Sequence, residues 1–326
     1  MKAIDALLGA YVYYVRPEYQ DEFQHEAPDI IGTYGPLVLT RTPVEDPIFA
    51  DDVWLTPFIA PCESITKGAC ELRRRGKYWY ACIIEKARRT TLITEALPRL
   101  RTPELIFPCH DYPGAIGVFG LLNEHWIIGS QARSHRLPNG AFVVREDRVA
   151  PPNRAYLKLW EALSYGEKLP QPGDRAIDLG ASPGGWTWVL QQLGVQVLAI
   201  DKAPLAPHIA ALRGVAYRQG SAFSIQPTDE GPVDWLVCDV ACYPERLLNL
   251  LTAWLQEGQV KHMIATIKLQ GETDWNSLRQ FQAIPDGRVI HLYQNKHEVT
   301  FLWPRTAFTR LSNQAPVGID CQSEGN

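Results

Sequence analysis

Residues 175–186 read RAIDLGASPGGW, an apolar strand-like run that passes directly into a glycine-rich turn and then into the helical spacing of WTWVLQQL, residues 186–193. A strand, a tight turn and a helix in immediate succession mark the place where an α/β sheet binds a nucleotide-like ligand at its carboxyl edge. Gly180, Gly184 and Gly185 give the turn its backbone freedom and let a ligand approach closely. The next apolar run, VQVLAID (195–201), ends on Asp201, which stands where an acidic residue accepts hydrogen bonds from ribose hydroxyls. One βαβ unit spans the two sites.

Outward from this unit the same rhythm repeats. VDWLVCDV (233–240) and MIATIKL (263–269) read as buried strands, with helices near 184–193, 244–257 and 273–283 between them. Such alternation predicts a doubly wound, mostly parallel sheet. RVIHLY (288–293) and EVTFLW (298–303) follow with only a short turn, which suits an antiparallel edge hairpin. Upstream, about 114 to 130 alternates like one or two strands, and QARSHRLPNGAFVVREDRVAPP (131–152) is polar and broken by Pro-Asn-Gly and Pro-Pro. The expected organisation is an N-terminal α+β region over 1–130, a linker over 131–152, an α/β domain over 153–312 and a disordered tail over 313–326.

A chain of 326 residues exceeds the size at which single cores usually stop growing. Hydrophobic residues at 46% and charged residues at 21% are ordinary globular values, and no run approaches the ~18 apolar residues of a membrane span. The N-terminal MKAIDALLGAYVYYV has no small-residue cleavage site and runs into acidic sequence, so it does not read as a signal peptide and the cytoplasm is the expected compartment. Seven Cys without a C-x-x-C pair argue against a disulfide framework and against a metal site.

The net charge of −4 gives no overall basic footprint for nucleic acid, but charge is unevenly spread. Residues 1–63 hold three Lys/Arg against eleven Asp/Glu, whereas Arg73, Arg74, Arg75, Lys77, Lys86, Arg88, Arg89, Arg99 and Arg101 face only Glu85 and Glu95. Tyr78, Trp79 and Tyr80 lie among them. Basic groups interleaved with aromatics suit phosphate contact and base stacking. A solvated helix face with core aromatics explains the pattern equally well.

A dehydrogenase would satisfy much of the same cofactor-loop physics. This loop is G-x-x-x-G-G rather than G-x-G-x-x-G, however, and Asp178 precedes its first glycine. A carboxylate against the ligand disfavours a pyrophosphate. S-adenosylmethionine has no phosphate and carries a sulfonium and an α-amino group, so it suits a nearby negative charge. The expected cofactor is therefore S-adenosylmethionine, held by Asp178, Gly180, Ala181, Ser182, Pro183, Gly184, Gly185, Trp186 and Asp201.

DLGASPGGW resembles the first motif of the FtsJ-like ribose methyltransferases. Within them the chain is most similar to the bacterial large-subunit ribosomal RNA cytidine 2′-O-methyltransferases of the RlmM type. The resemblance spans about 115 to 305, and four further segments agree in order: NRAYLKL (153–159), VCDV (237–240), IKL (267–269) and HEVT (297–300). It implies a Rossmann-like methyltransferase fold with a seven-stranded sheet, and a Lys-Asp-Lys-Glu tetrad at Lys158, Asp239, Lys268 and Glu298, Asp239 also adjoining the cofactor. It implies RNA, and ribosomal RNA in particular, as the partner; Arg154 is a further candidate RNA contact beside Arg73, Arg74, Arg75, Lys77, Arg88 and Arg89. VYYVRPEYQDEFQHEAPDIIG (12–32) resembles the opening of that family, whose N-terminal domain contains a THUMP-like RNA-binding module, though this version is shorter. Ser221 stands where many relatives place an aspartate that contacts adenine.

A ribose hydroxyl ionises several units above neutral pH, so its attack on a methyl group needs a proton acceptor. Lysine serves only when neutral. Lys268 is the expected base, Lys158 orients the hydroxyl and lowers the pKa of the base, and Asp239 and Glu298 orient the two amines. Blander readings remain open for each. Lys158 with Glu161 is also an exposed Lys-x-x-Glu helix pair, Glu298 an edge gatekeeper and His297 an edge residue. No N-P-P-Y-type tetrapeptide follows the strand at 233–240, which disfavours amino-group methylation, and Cys238 and Cys242 read as structural. Two other functions compete: an RNA-associated binding module without turnover, and a nucleotide-cofactor oxidoreductase.

Overall fold

Alternating apolar residues in the N-terminal half need two faces to bury them, and two sheets supply those faces. The computed structural model describes residues 2–100, 104–108, 116–308 and 319. Arg101, Cys109, Cys321 and, Ile319 apart, the expected tail at 313–326 lie outside the described residues. The chain divides into one compact unit of residues 1–104, 111–142 and 311–326 and another of 105–110 and 143–310.

In the first unit, β1 (Tyr11–Tyr14), β2 (Ile30–Tyr34), β3 (Leu37–Thr40) and β4 (Asp52–Trp54) form an antiparallel sheet of order β2-β3-β1-β4. A second sheet takes the order β5-β8-β7-β6, from β5 (Pro57–Pro61), β6 (Trp79–Ala81), β7 (Gly117–Leu121) and β8 (Trp126–Ser130). Helices α1 (Lys2–Asp5), α2 (Gln20–Glu26), α3 (Ile65–Arg75) and α4 (Ala87–Glu95) complete it. The period of two divides the second sheet cleanly. Ile59, Val118 and Ile128 join Val12, Leu39 and Trp54 in one core, while their neighbours Phe58, Phe119 and Ile127 join Leu72 of α3 and Ile93 of α4 in another.

Part of the stretch read as a linker is built into this unit. Arg133 donates to Asp52 Oδ2 (2.8 Å) and to the carbonyls of Ile116 and Leu137 (3.0 Å each), and Asp52 Oδ1 accepts from His135 N (2.9 Å). The two side chains are 2% and 0% exposed.

The second unit carries α5 (Tyr156–Ser164), α6 (Gly185–Gln192), α7 (Pro207–Ala210), α8 (Pro227–Glu230), α9 (Pro244–Glu257) and α10 (Trp275–Gln282) around one sheet. Its strands are β9 (Arg175–Leu179), β10 (Gln196–Asp201), β11 (Val215–Gln219), β12 (Pro232–Cys238), β13 (Gln259–Lys268), β14 (Arg288–Ile290) and β15 (Glu298–Trp303). They run in the order β11-β10-β9-β12-β13-β15-β14, seven strands with the first five parallel. β15 is antiparallel to both neighbours and inserts between β13 and β14. The fold is thus the expected α/β class, with its antiparallel element threaded inside the edge.

From β9 the order steps outward to β10 on one side and to β12 on the other, so the sheet has its topological switch between β9 and β12. The carboxyl ends of these strands part there and leave a crevice. The loop after β9 and Asp239 after β12 therefore meet, and Asp239 N donates to Leu179 O (3.2 Å).

Candidate active site

The cofactor loop owes its shape to glycine at two positions. Gly180 has φ +78°, and a Cβ there would come within 2.5 Å of the Val240 side chain. Gly184 has φ +112°, and its Cβ would lie 2.7 Å from Ile209. Gly185, which opens α6, has Asn153 Oδ1 where a Cβ would stand, at 2.3 Å. The glycines are thus required first by the protein's own packing.

Asp201 ties this loop down. Its Oδ2 accepts from Ser182 N and its Oδ1 from Ala203 N, both at 2.9 Å, while Ser182 Oγ donates to Pro204 O (2.9 Å) and Pro183 O accepts from Ala206 N (2.9 Å). Ala181 is buried beside them. Trp186 is buried on α6, and its indole N–H is taken by Ala155 O (2.9 Å), just before α5. Ser221 caps a short 3₁₀ turn through a hydrogen bond from Phe223 N (3.3 Å).

Asp178 is completely buried. Thr187 Oγ1 donates to its Oδ2 (2.6 Å), and its Oδ1 has no hydrogen-bond partner. Burial, opposed by the Thr187 hydrogen bond and reinforced by the negative charges of Asp239 and Asp201, pushes its carboxyl up to about 7. The negative charges of Asp239 and Asp201 near the loop favour a cation over a phosphate there.

The four residues of the expected tetrad come together. Lys158 Nζ lies 2.8 Å from Asp239 Oδ2 and 3.0 Å from Glu298 Oε1, and Lys268 Nζ lies 2.6 Å from both Asp239 Oδ1 and Glu298 Oε2. Each amine bridges both carboxylates, and each carboxylate gives one oxygen to each amine, so the groups close a ring of alternating charge. α5 supplies Lys158 and the end of β12 supplies Asp239. Lys268 closes β13 directly opposite Glu298, which opens the antiparallel β15.

The ring is largely sheltered, and Lys268 is its most exposed member, at 23% against 12 to 16% for the other side chains. Burial opposes the charge of Lys268, but Asp239 and Glu298 outweigh it and hold the ammonium at about 12. The expected depression by Lys158 is overridden, because two carboxylates lie within 2.6 Å of the same nitrogen. Asp239, though burial raises its carboxyl, is held below the ordinary range by the two lysines.

Other residues fall elsewhere. Cys238 and Cys242 are buried, and burial pushes both thiols up, which leaves them poor nucleophiles. His297 is exposed at the strand edge. Glu161 is not the exposed helix pair of the sequence reading: it is fully buried, and its carboxylate accepts from Tyr293 N and Gln294 N. Asn153, against Gly185, also went unseen as a site neighbour.

The basic segment divides. Arg73, Arg74, Lys77 and Arg88 are exposed, although Arg73 reaches Ala96 O and Arg74 pairs with Glu71. Arg75 pairs with Glu71 beneath it and lies over the Phe58 ring at 4.3 Å, and Arg89 donates to Cys62 O (2.9 Å). Trp79 is a core residue whose N–H is spent on Leu72 O and Gly76 O (3.0 and 2.9 Å), which removes it from any stacking platform, whereas Tyr78 is exposed. Arg154, in the second unit, pairs with Glu146 (2.7 Å).

Residues 151–295 match the family model of the FtsJ-like methyltransferases. This segment is similar to the members of that family. Three of the four ring residues lie within the matched segment, and Glu298 follows three residues beyond it. The chain is also similar to proteins named Ribosomal RNA large subunit methyltransferase M. That of Halorhodospira halophila is 40% identical over 178 residues, covering 52% of each chain. That of Alkalilimnicola ehrlichii is 37% identical over 187 residues, covering 53% of this chain and 51% of its own. The chain spans about half the length of these curated relatives. Among the described residues no helix is long and apolar enough to cross a membrane, and no cluster of three metal-ligating side chains occurs.

Proposed function

We propose that this protein transfers a methyl group from S-adenosylmethionine to a ribose 2′-hydroxyl of RNA, and that the RNA is large-subunit ribosomal RNA, with a cytidine as the target. The closed Lys158-Asp239-Lys268-Glu298 ring beside the cofactor loop carries this reading. A 2′-hydroxyl needs a proton acceptor and an orienting group, and paired amines and carboxylates can supply both. The names of the relatives support ribosomal RNA.

The residues present fit the cofactor. Asp201 and Asp239 give the loop the negative character that a sulfonium and an α-amino group favour, Asp178 lies buried beneath it on Thr187, and Gly180, Ala181, Ser182, Pro183, Gly184 and Gly185 form its backbone wall. Asp201 keeps lone pairs for ribose hydroxyls beyond the two that hold the loop, and Ser221 stands at the adenine position of the family pattern. Trp186 acts indirectly, by fixing α6 against the start of α5. When bound, the cofactor supplies an electrophilic methyl carbon on a positive sulfur.

Lys268 Nζ accepts the hydroxyl proton, and Lys158 orients the hydroxyl oxygen. Asp239 and Glu298 set the position and the charge of both amines. Because its carboxylates hold Lys268 protonated, the reactive fraction grows as pH rises, and a positive charge brought near the ring enlarges that fraction further. Removing one carboxylate acts in the same direction. In Glu298→Gln the rising limb of the pH–rate profile moves to lower pH by roughly one unit, even as the maximal rate falls. A limb that stays in place in that variant removes Glu298 from control of the base.

For the RNA-holding role of the N-terminal α+β region, the support is the exposed Arg73, Arg74, Lys77 and Arg88, with Arg154 in the catalytic unit. Arg75 and Arg89 are committed to internal partners. The overall reading is tested by incubating the protein with methyl-labelled S-adenosylmethionine and total RNA from cells lacking the enzyme. Label is expected in 2′-O-methylated nucleosides of large-subunit RNA. Label on a base, or none in RNA, overturns it.

A further inference from the structure

Charge is expensive to bury, so a carboxylate with no exposed surface must be engaged by something specific. Glu161 is 0% exposed and lies one turn of α5 beyond Lys158. Its Oε1 accepts the N–H of Tyr293 at 2.7 Å and its Oε2 accepts the N–H of Gln294 at 2.8 Å. Those amides belong to the segment 291–297 that joins β14 to β15, and Glu298 is the first residue of β15.

The same segment is pinned from within. Asn295 Oδ1 accepts from Leu292 N (2.8 Å) and from Thr300 Oγ1 (3.1 Å), and His297 O accepts from Leu269 N (2.9 Å), the residue after Lys268. The helix that carries Lys158 and the turn that presents Glu298 are thereby joined through one side chain.

We propose that Glu161 is a positioning residue for the methyl transfer, clamping the 293–294 backbone so that Glu298 reaches both Lys158 and Lys268. The inference rests on the reading of the ring as the catalytic centre. An apolar side chain would fill the same space under α5, but only a carboxylate takes two adjacent amides in charge-assisted hydrogen bonds. The ring needs such a clamp, because Glu298 contributes one oxygen to each amine, and a shift near 1 Å breaks one of these contacts. Catalytic constellations are held by neighbours of this kind.

The test is a double-mutant cycle in the full chain, on unmodified large-subunit ribosomal RNA transcript, with labelled S-adenosylmethionine at saturation. Glu161→Gln keeps the shape but turns a donor toward one of the two amides. It is expected to slow methyl transfer by roughly ten- to a hundredfold while cofactor affinity is unchanged. In a Glu298→Gln background the same substitution should cost less than about threefold, since residues acting through one network are not additive.

Equal losses in both backgrounds, or full activity in Glu161→Gln, overturn the positioning role. If Glu161→Gln does not fold, Asn295→Ala loosens the same segment from its inner side, and additivity of that change with Glu298→Gln overturns the proposal in turn. Absence of ribose methylation by the unaltered protein brings down the functional reading and this inference together. Ribose methylation with additive variants brings down the inference alone.

Discussion

Lys268→Met is expected to remove methyl transfer, lowering the rate by about 10²- to 10⁴-fold, the range supplied by a positioned general base, while cofactor affinity stays near that of the unaltered protein. Methionine keeps the length of the side chain and deletes only the amine. The cofactor loop is held by Asp201, Thr187 and the backbone, none of which touches Lys268. Single-turnover transfer and calorimetric titration of the cofactor separate the two effects. Lys158→Met should cost less, because an orienting amine loses geometry rather than the proton acceptor. A Lys268→Met protein that turns over normally would move the base elsewhere. A fall in cofactor affinity equal to the fall in rate would make the ring a binding device.

The largest expected effect on stability lies in the first unit. Arg133→Met leaves the fully buried Asp52 without its cation, and stranding one member of a buried pair costs about 3–5 kcal/mol. Burial already raises the Asp52 carboxyl above its ordinary value with Arg133 in place, and removing the guanidinium lets it rise further. The folded variant then binds more protons than the unfolded chain. Its stability deficit is therefore smallest at low pH and widens as pH climbs through the folded-state pKa. Urea denaturation of the whole chain at several pH values measures this. A second change, Asp52→Asn, should recover part of the loss at neutral pH. A deficit that does not vary with pH would place the damage in packing instead.

The strands of the seven-stranded sheet could be read from the sequence because both faces of a parallel sheet are buried, so each strand is a short apolar run bounded by turns. The loop after β9 could be read for a similar reason. Two positive φ values at Gly180 and Gly184 leave little choice of residue, and a polar strand terminus at a sheet edge stands out against apolar surroundings. Asp201 stands out in that way, and the same position at a strand end favours the functional reading of Lys268 and Asp239 that the family resemblance supplies. Lys158 and Glu298 rest on the resemblance alone, since a lysine on an amphipathic helix and a glutamate at a strand start are commonplace when viewed singly.

The sequence by itself determined the α/β architecture and the position of the loop, because periodicity, glycine and charge act over a few residues, while the four ionisable groups were singled out by resemblance to a known family. Only the tertiary structure decided that β15 threads between β13 and β14, that Lys268 and Glu298 face each other in register, and that two carboxylates overrule burial at the amine. It also decided that Trp79 belongs to a core and that Glu161 is a buried clamp rather than a surface charge. The ring and the clamp depend on hydrogen-bonded groups 29 to 133 positions apart in the chain, and electrostatics and burial are set by distance in space, which local pattern does not encode.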